Sequence, residues 1–295
     1  MRMTGRGLAR REFLALGAAA TLLPRSLRAQ TGVRVATLDW ALLETLLAIG
    51  ANVVAATELL QFREVAVKPE IPAGVADLGL RGTPNFEALR LAAPDLIVNS
   101  NFYQWANERM SQIAPVETHS VYVPGQSPYA LSESAALALG QRLKLDSARR
   151  FVDGARAELE RLRHRLGGGD GRAVMPINLG DARHFRAFGA DSVFGDVLAR
   201  LGLENAWKDV TSYSANAPVG IEALAAAPDA WIILIPPHPL DALRRLEQSA
   251  FWNVLPAVAG GRVLTLGPVN PYGALPAALR FANLLVEGML NARNG

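Results

Sequence analysis

Residues 146–166 read DSARRFVDGARAELERLRHRL, and GGGDG follows at 167–171. Phe151, Ala155, Leu159, Leu162 and Leu166 step by four, four, three and four, which puts them on one face of a helix. The opposite face is Arg and Glu. Such a helix spans roughly 30 Å at 1.5 Å per residue. The glycine run ends it. A phosphate-binding loop would instead follow a strand and close on Lys-Ser or Lys-Thr.

On either side of this helix, short apolar runs alternate with helical ones. Before it, strands are expected at 33–38, 53–56 and 96–98, and helices at 41–49 and 86–91. Gly50 follows the first helix as its natural stop. A further helix starts at Ser127-Pro128, with Ser as N-cap and Pro at the first helical position. After the long helix come strands at 173–179, 231–235 and 262–266, and helices at 193–201, 242–248 and 275–290. Glu87–Asp95 is echoed by Glu222–Asp229 with one residue deleted, and each precedes an apolar strand. The expected fold is α/β: two similar α/β lobes bridged by one long α-helix. The boundaries are 1–29 for a leader, 30–127 for the first lobe, 128–166 for the bridging helices and 167–295 for the second lobe. A single helical strut resists bending more than paired strands do, so only a small closure of the lobes is expected.

The leader distorts the charge balance. Six of the 30 basic residues lie in the first 28 positions, against one of the 27 acids, so the remainder carries about −2. A basic whole-chain balance would hint at nucleic acid, and this correction withdraws the hint. The 295 residues include no cysteine, which excludes disulfides, thiolate metal sites and a lipidated cysteine anchor. Residues 13–23 form an apolar run too short to span a bilayer, ending at Pro24 with a cleavage site after Ala29. Arg10-Arg11-Glu12-Phe13-Leu14 matches the twin-arginine export pattern. The expected location is a periplasm, without a lipid anchor.

A family resemblance rests on six stretches: 34–40 running on to Gly50, 77–87, 113–115, 181–189, 205–207 and 271–273. Their order and spacing resemble the helix-bridged periplasmic binding proteins of iron-siderophore ABC importers, and among those the ferric hydroxamate binders. The resemblance implies a ferric siderophore held between the lobes. It also implies delivery to an inner-membrane permease with its cytoplasmic ATPase. The chain would act as a monomer, without cofactor, directly bound metal or catalysis.

The resemblance also supplies site residues. Arg81 lies in a glycine-flanked turn after a strand, where a guanidinium can fork onto chelate oxygens. Tyr103 follows the strand at 96–98, with Phe102 and Trp105 beside it. Trp40 ends the first strand. On the second lobe the matching positions are Arg186, Phe188, Tyr213, Ser214, Asn270 and Tyr272. Here the chain departs from the hydroxamate binders, which carry Trp at the positions of Ser214 and Asn270 and an aliphatic residue at that of Arg186. The pocket should therefore be less aromatic and more cationic, and should favour a carboxylate-bearing or mixed hydroxamate–carboxylate siderophore. Glu108 and Glu222, one per lobe, match the acids with which this family docks onto its permease.

Other readings are weaker. The four histidines, His119, His164, His184 and His238, have no metal-ligand spacing. Haem needs a His or Tyr axial ligand, which Tyr103 could supply. Haem and a cobalamin-like corrinoid thus remain as alternative cargoes of the same fold. An exported hydrolase would have to draw on Asp181, His184 and Ser192, which show no nucleophile-elbow pattern.

Overall fold

The computed structural model describes residues 32–209 and 219–294. The leader, the twin-arginine motif, Tyr213 and Ser214 lie outside the described residues. The first lobe runs β1 (Arg34–Thr37), α1 (Trp40–Ala48), β2 (Asn52–Ala56), α2 (Leu59–Val65), β3 (Ala76–Asp77), α3 (Phe86–Leu91), β4 (Leu96–Asn99), a 3-10 turn (Asn101–Ala106), α4 (Asn107–Ser111) and β5 (Val116–Thr118). Its five strands pair in the order β3-β2-β1-β4-β5, all parallel. Every residue of β4 is buried, as expected of a strand covered on both faces.

Two helices then lead out of this lobe. α5 (Pro128–Leu143) begins at the Ser127 cap, whose hydroxyl accepts from Ala130 N–H. α6 (Ser147–Leu166) is the expected bridge, closed by Gly167 in the left-handed conformation at φ 62°. Its buried stripe is Ala148, Val152, Ala155, Leu159, Leu162 and Leu166. Phe151 is half-buried at the edge, and Val152 takes the central place assigned to it from the sequence. A wide apolar ring can lie along the margin of a stripe while the smaller residue beside it fills the seam.

The second lobe runs β6 (Val174–Leu179), β7 (His184–Ala187), α7 (Val193–Leu201), β8 (Val219–Gly220), a 3-10 turn (Ile221–Ala226), β9 (Trp231–Leu234), α8 (Ala242–Glu247), α9 (Ala250–Val254), α10 (Pro256–Ala259), β10 (Val263–Thr265) and α11 (Leu275–Asn294). The order is β10-β9-β6-β7-β8. β6, β9 and β10 are parallel, but β7 runs antiparallel to β6, and β8 antiparallel to β7. The stretch 181–189, to which no strand was assigned from the sequence, thus contains a hairpin arm. Its side chains alternate half-buried and buried from His184 to Ala187. The echoed segments occupy equivalent places: α3 precedes β4, and the turn Ile221–Ala226 precedes β9, the strands flanking the central β1 and β6.

One apolar cluster joins the inner face of both sheets. It takes Leu42 and Leu46 from α1, Val152 and Leu159 from α6, Phe194 and Leu198 from α7, and Phe281 and Leu285 from α11. Separate clusters fill the outer faces of the two sheets. α11 packs on α6 and α7 and also on α1 and α5, so the C-terminal helix is shared between the lobes. Separating the lobes would expose this shared core, at roughly 25 cal/mol per Å² of apolar surface. That cost adds to the stiffness of the helical strut.

Candidate binding site between the lobes

A five-stranded parallel sheet in the order 3-2-1-4-5 reverses direction between its first and fourth strands. Ligands of such sheets bind outside the carboxyl ends of the strands at that reversal. Here the residues after β1, β2, β3 and β4 meet at one edge. Asp39, after β1, caps α1 by accepting from Ala41 N–H at 2.7 Å and Leu42 N–H at 3.1 Å. It also accepts from the Ser100 hydroxyl, after β4, at 2.6 Å. Burial pushes its carboxyl up from the usual range, against the pull of these donors and of Arg81.

Arg81, in the loop after β3, is held on three sides. Its guanidinium lies 4.1 Å over the Trp40 ring. Its Nε is 2.7 Å from a carboxylate oxygen of Glu58, after β2, and its backbone N–H donates to the other oxygen at 2.9 Å. The Tyr103 phenol lies close enough to feel its positive charge. Burial first, and the nearby Asp39 charge second, push the Tyr103 phenol up to about 12. Tyr103 sits in the 3-10 turn with a non-helical backbone (φ −117°, ψ 19°), and its carbonyl accepts from Asn99 Nδ2 at 2.9 Å. Phe102 and Trp105 on the same turn are 42% and 54% exposed, so both rings are open to contact.

Trp40 itself is only 4% exposed. It packs edge-on against Phe62 at 5.5 Å, and its indole N–H donates to the Thr57 carbonyl at 3.1 Å. It supports Arg81 from below and presents no free face to a ligand.

On the second lobe, Arg186 extends from β7 and reaches the Tyr272 hydroxyl at 3.5 Å. The structure gives different roles to two residues expected in the pocket. Phe188, just past the end of β7, is buried and packs against Phe194 at 4.9 Å in the core shared by the lobes. Asn270 is 1% exposed and its amide is engaged at both ends: Nδ2 donates to Glu44 at 2.8 Å, and Oδ1 accepts from Tyr272 N–H at 3.1 Å. Both are positioning residues behind the pocket wall.

Glu44 was missed by sequence reasoning, although one acid inside the apolar helix WALLETLLA was a signal. It is completely buried, accepts from Asn270 and from Ala274 N–H at 3.1 Å, and so ties α1 to the segment before α11. Burial pushes its carboxyl up to about 8. Trp40 and Glu44 are one turn apart on α1, hence on the same face. One helix therefore supports both halves of the site: Arg81 through Trp40, and Tyr272 with Arg186 through Glu44 and Asn270.

The remaining candidates lie apart. Glu108 on α4 and Glu222 on the second 3-10 turn are both exposed. His184 pairs with Asp181 at 3.0 Å, and His164 with Glu160 at 3.0 Å, both at the surface. The Ser192 hydroxyl is buried, donates to the Gly189 carbonyl and caps α7. It is out of reach of any substrate. Among the described residues, no group of three His, Asp or Glu side chains could hold a metal ion, and no helix is long and apolar enough to cross a membrane.

The profile of the periplasmic binding protein family matches residues 35–269, which takes in nearly all of both sheets and the site residues up to Arg186. The chain belongs to this family. It is 28% identical over 257 residues to the iron(3+)-hydroxamate-binding protein FhuD of Escherichia coli (strain K12), covering 85% of each chain. Its fold superimposes on the Fe3+–Desferal-bound siderophore-binding protein FhuD of Vibrio cholerae with a TM-score of 0.82 at 24% identity, covering 88% of this chain and 98% of that one. Staphylococcus aureus SirA complexed with staphyloferrin B gives 0.64 at 20% identity, over 88% and 93%. The helix-bridged architecture expected from the sequence is thus the architecture found. This periplasmic binding protein is a member of a family of binders, not of enzymes.

Proposed function

We propose that this periplasmic binding protein captures a ferric siderophore between its lobes and hands it to an inner-membrane ABC importer. The observation that carries this reading is Arg81, stacked on Trp40 and paired with Glu58 near Tyr103 at the carboxyl edge of the first sheet. A fixed guanidinium beside a phenol hydroxyl offers donors to the oxygens of an iron chelate. The name of the Escherichia coli relative supports a hydroxamate cargo. Arg186 beside Tyr272 adds a second cation and favours a cargo with carboxylates, in a mixed hydroxamate–carboxylate chelate. No metal-holding cluster exists among the described residues, so the chelate itself would supply the coordination of iron. Haem is the competing cargo, with Tyr103 as its candidate axial ligand. The reading includes export to the periplasm by the twin-arginine route, supported by Arg10-Arg11-Glu12-Phe13-Leu14, and action as a monomeric shuttle.

The test is a tryptophan-fluorescence titration against a ferric trihydroxamate, a ferric carboxylate siderophore, a ferric catecholate, haem and a corrinoid. Saturable quenching by an iron chelate is expected. A Soret band formed with haem, and no response to any iron chelate, would overturn the reading.

Delivery requires a docking face. Glu108 and Glu222 are exposed and belong to different lobes, which suits a face that must be oriented on its partner by charge. Charge reversal at both, Glu108→Arg with Glu222→Arg, should abolish siderophore-dependent growth while leaving ligand affinity unchanged. Unchanged uptake by the double variant would remove the docking role.

A further inference from the structure

Glu58 occupies a strained and unusual place. Its φ is 51°, in the left-handed region that a residue with a Cβ enters only at a steric cost. It stands at the N-cap of α2, yet its side chain caps nothing. That work falls to Asp77, which accepts from Leu59 N–H at 3.1 Å and from Gly79 N–H at 2.9 Å. The backbone of Glu58 ties its loop to the loop after β3, donating to the Gly79 carbonyl at 3.0 Å. This leaves the carboxylate for one purpose. One oxygen accepts from Arg81 N–H and the other pairs with Arg81 Nε. The glutamate side chain is only 12% exposed, so water screens the pair weakly.

Two consequences follow from Coulomb's law and geometry. The Glu58 charge offsets that of Arg81, so the first lobe presents guanidinium donors with little net charge. The pair also holds the guanidinium over Trp40 through Nε, which leaves its Nη groups for a ligand. Without Glu58, Arg81 and Arg186 would give the site two uncompensated cations.

We infer that Glu58 is a specificity-determining residue, which aims Arg81 and limits how much negative charge the bound iron chelate carries. This rests on the siderophore reading above. The chemistry selected is a ferric complex of low net negative charge, with Arg186 as the cation left to meet a carboxylate.

The experiment compares wild type, Glu58→Gln and Glu58→Gly, titrated with ferrichrome, an uncharged trihydroxamate complex, and with ferric citrate, an anionic one. Gln keeps the shape and removes the charge. Gly also removes the backbone strain, so it folds even if the longer side chain does not. Both variants should shift selectivity toward ferric citrate by about tenfold relative to ferrichrome, the size expected of one charge at pocket distance. The ferric citrate affinity should also become more salt-dependent. Equal changes for the two complexes would reduce Glu58 to a structural residue and overturn the inference alone. Failure of the wild type to bind either complex, or any other iron chelate, would overturn the siderophore reading and this inference with it.

Discussion

Arg81→Ala is expected to weaken binding of the ferric siderophore by roughly ten- to a hundredfold. A hydrogen bond to a charged group contributes about 1.5–3 kcal/mol, and 1.4 kcal/mol is a factor of ten. The substitution does more than remove donors. It leaves Glu58 as a nearly buried carboxylate without its cation, beside the buried Asp39. That edge of the site then repels any chelate with negative character. It also uncovers the Trp40 ring that the guanidinium covers at 4.1 Å. The loss should therefore be larger for an anionic complex than for a neutral one. The double variant Glu58→Gln with Arg81→Ala should recover part of it, because the two deletions are coupled. Affinities of the four forms for one chelate, measured by fluorescence titration, give the coupling directly. An Arg81→Ala affinity within twofold of wild type would mean that the ligand sits elsewhere.

The second large effect concerns Glu44 and pH. Its carboxyl is pushed from an ordinary 4.5 up to about 8, and burial is the main cause. Between those values the folded state holds a proton that the unfolded state has lost, so stability falls as pH rises. The contribution is fully present below about pH 4.5 and is lost as pH rises through about 8. The thermal midpoint should therefore drop between pH 5 and 9. Each kcal/mol lost lowers it by roughly 2–4 °C in a domain of this size class. Glu44→Gln removes the titration and should flatten this slope. It should also lower the midpoint at pH 5, because the new amide N–H₂ faces either Asn270 Nδ2 or Ala274 N–H, donor against donor. Such an unmet buried donor costs about 1–3 kcal/mol. A variant with the wild-type pH slope would show that the dependence arises elsewhere.

The pattern of apolar runs and caps carried most of the architecture. The bridge at Ser147–Leu166, the cap at Ser127 and α7 at Val193–Leu201 were all visible because each has a period and a stop. The hairpin at His184–Ala187 was missed because four residues of alternation are a short signal beside the glycines at 180 and 189. The site was half visible. Arg81 and Tyr103 could be named from their turns and the family resemblance, and the structure brings them close together. Trp40, Phe188 and Asn270 could be named but not oriented, since a one-dimensional pattern does not tell a pocket wall from the layer behind it. Asp39, Glu44 and Glu58 act through partners on other elements, up to 230 residues away for Glu44, and no local spacing records such contacts.

The proposed function requires the iron of a bound siderophore to lie between the lobes, against Arg81 and Tyr103 on one side and Arg186 and Tyr272 on the other. Crystals grown with a ferric siderophore, with diffraction measured at the iron absorption edge, locate that atom by anomalous scattering. One strong peak is expected in the cleft, with chelate oxygens within hydrogen-bond reach of the Arg81 guanidinium. A bound chelate whose iron lies outside the cleft, beyond the reach of Arg81, would contradict it.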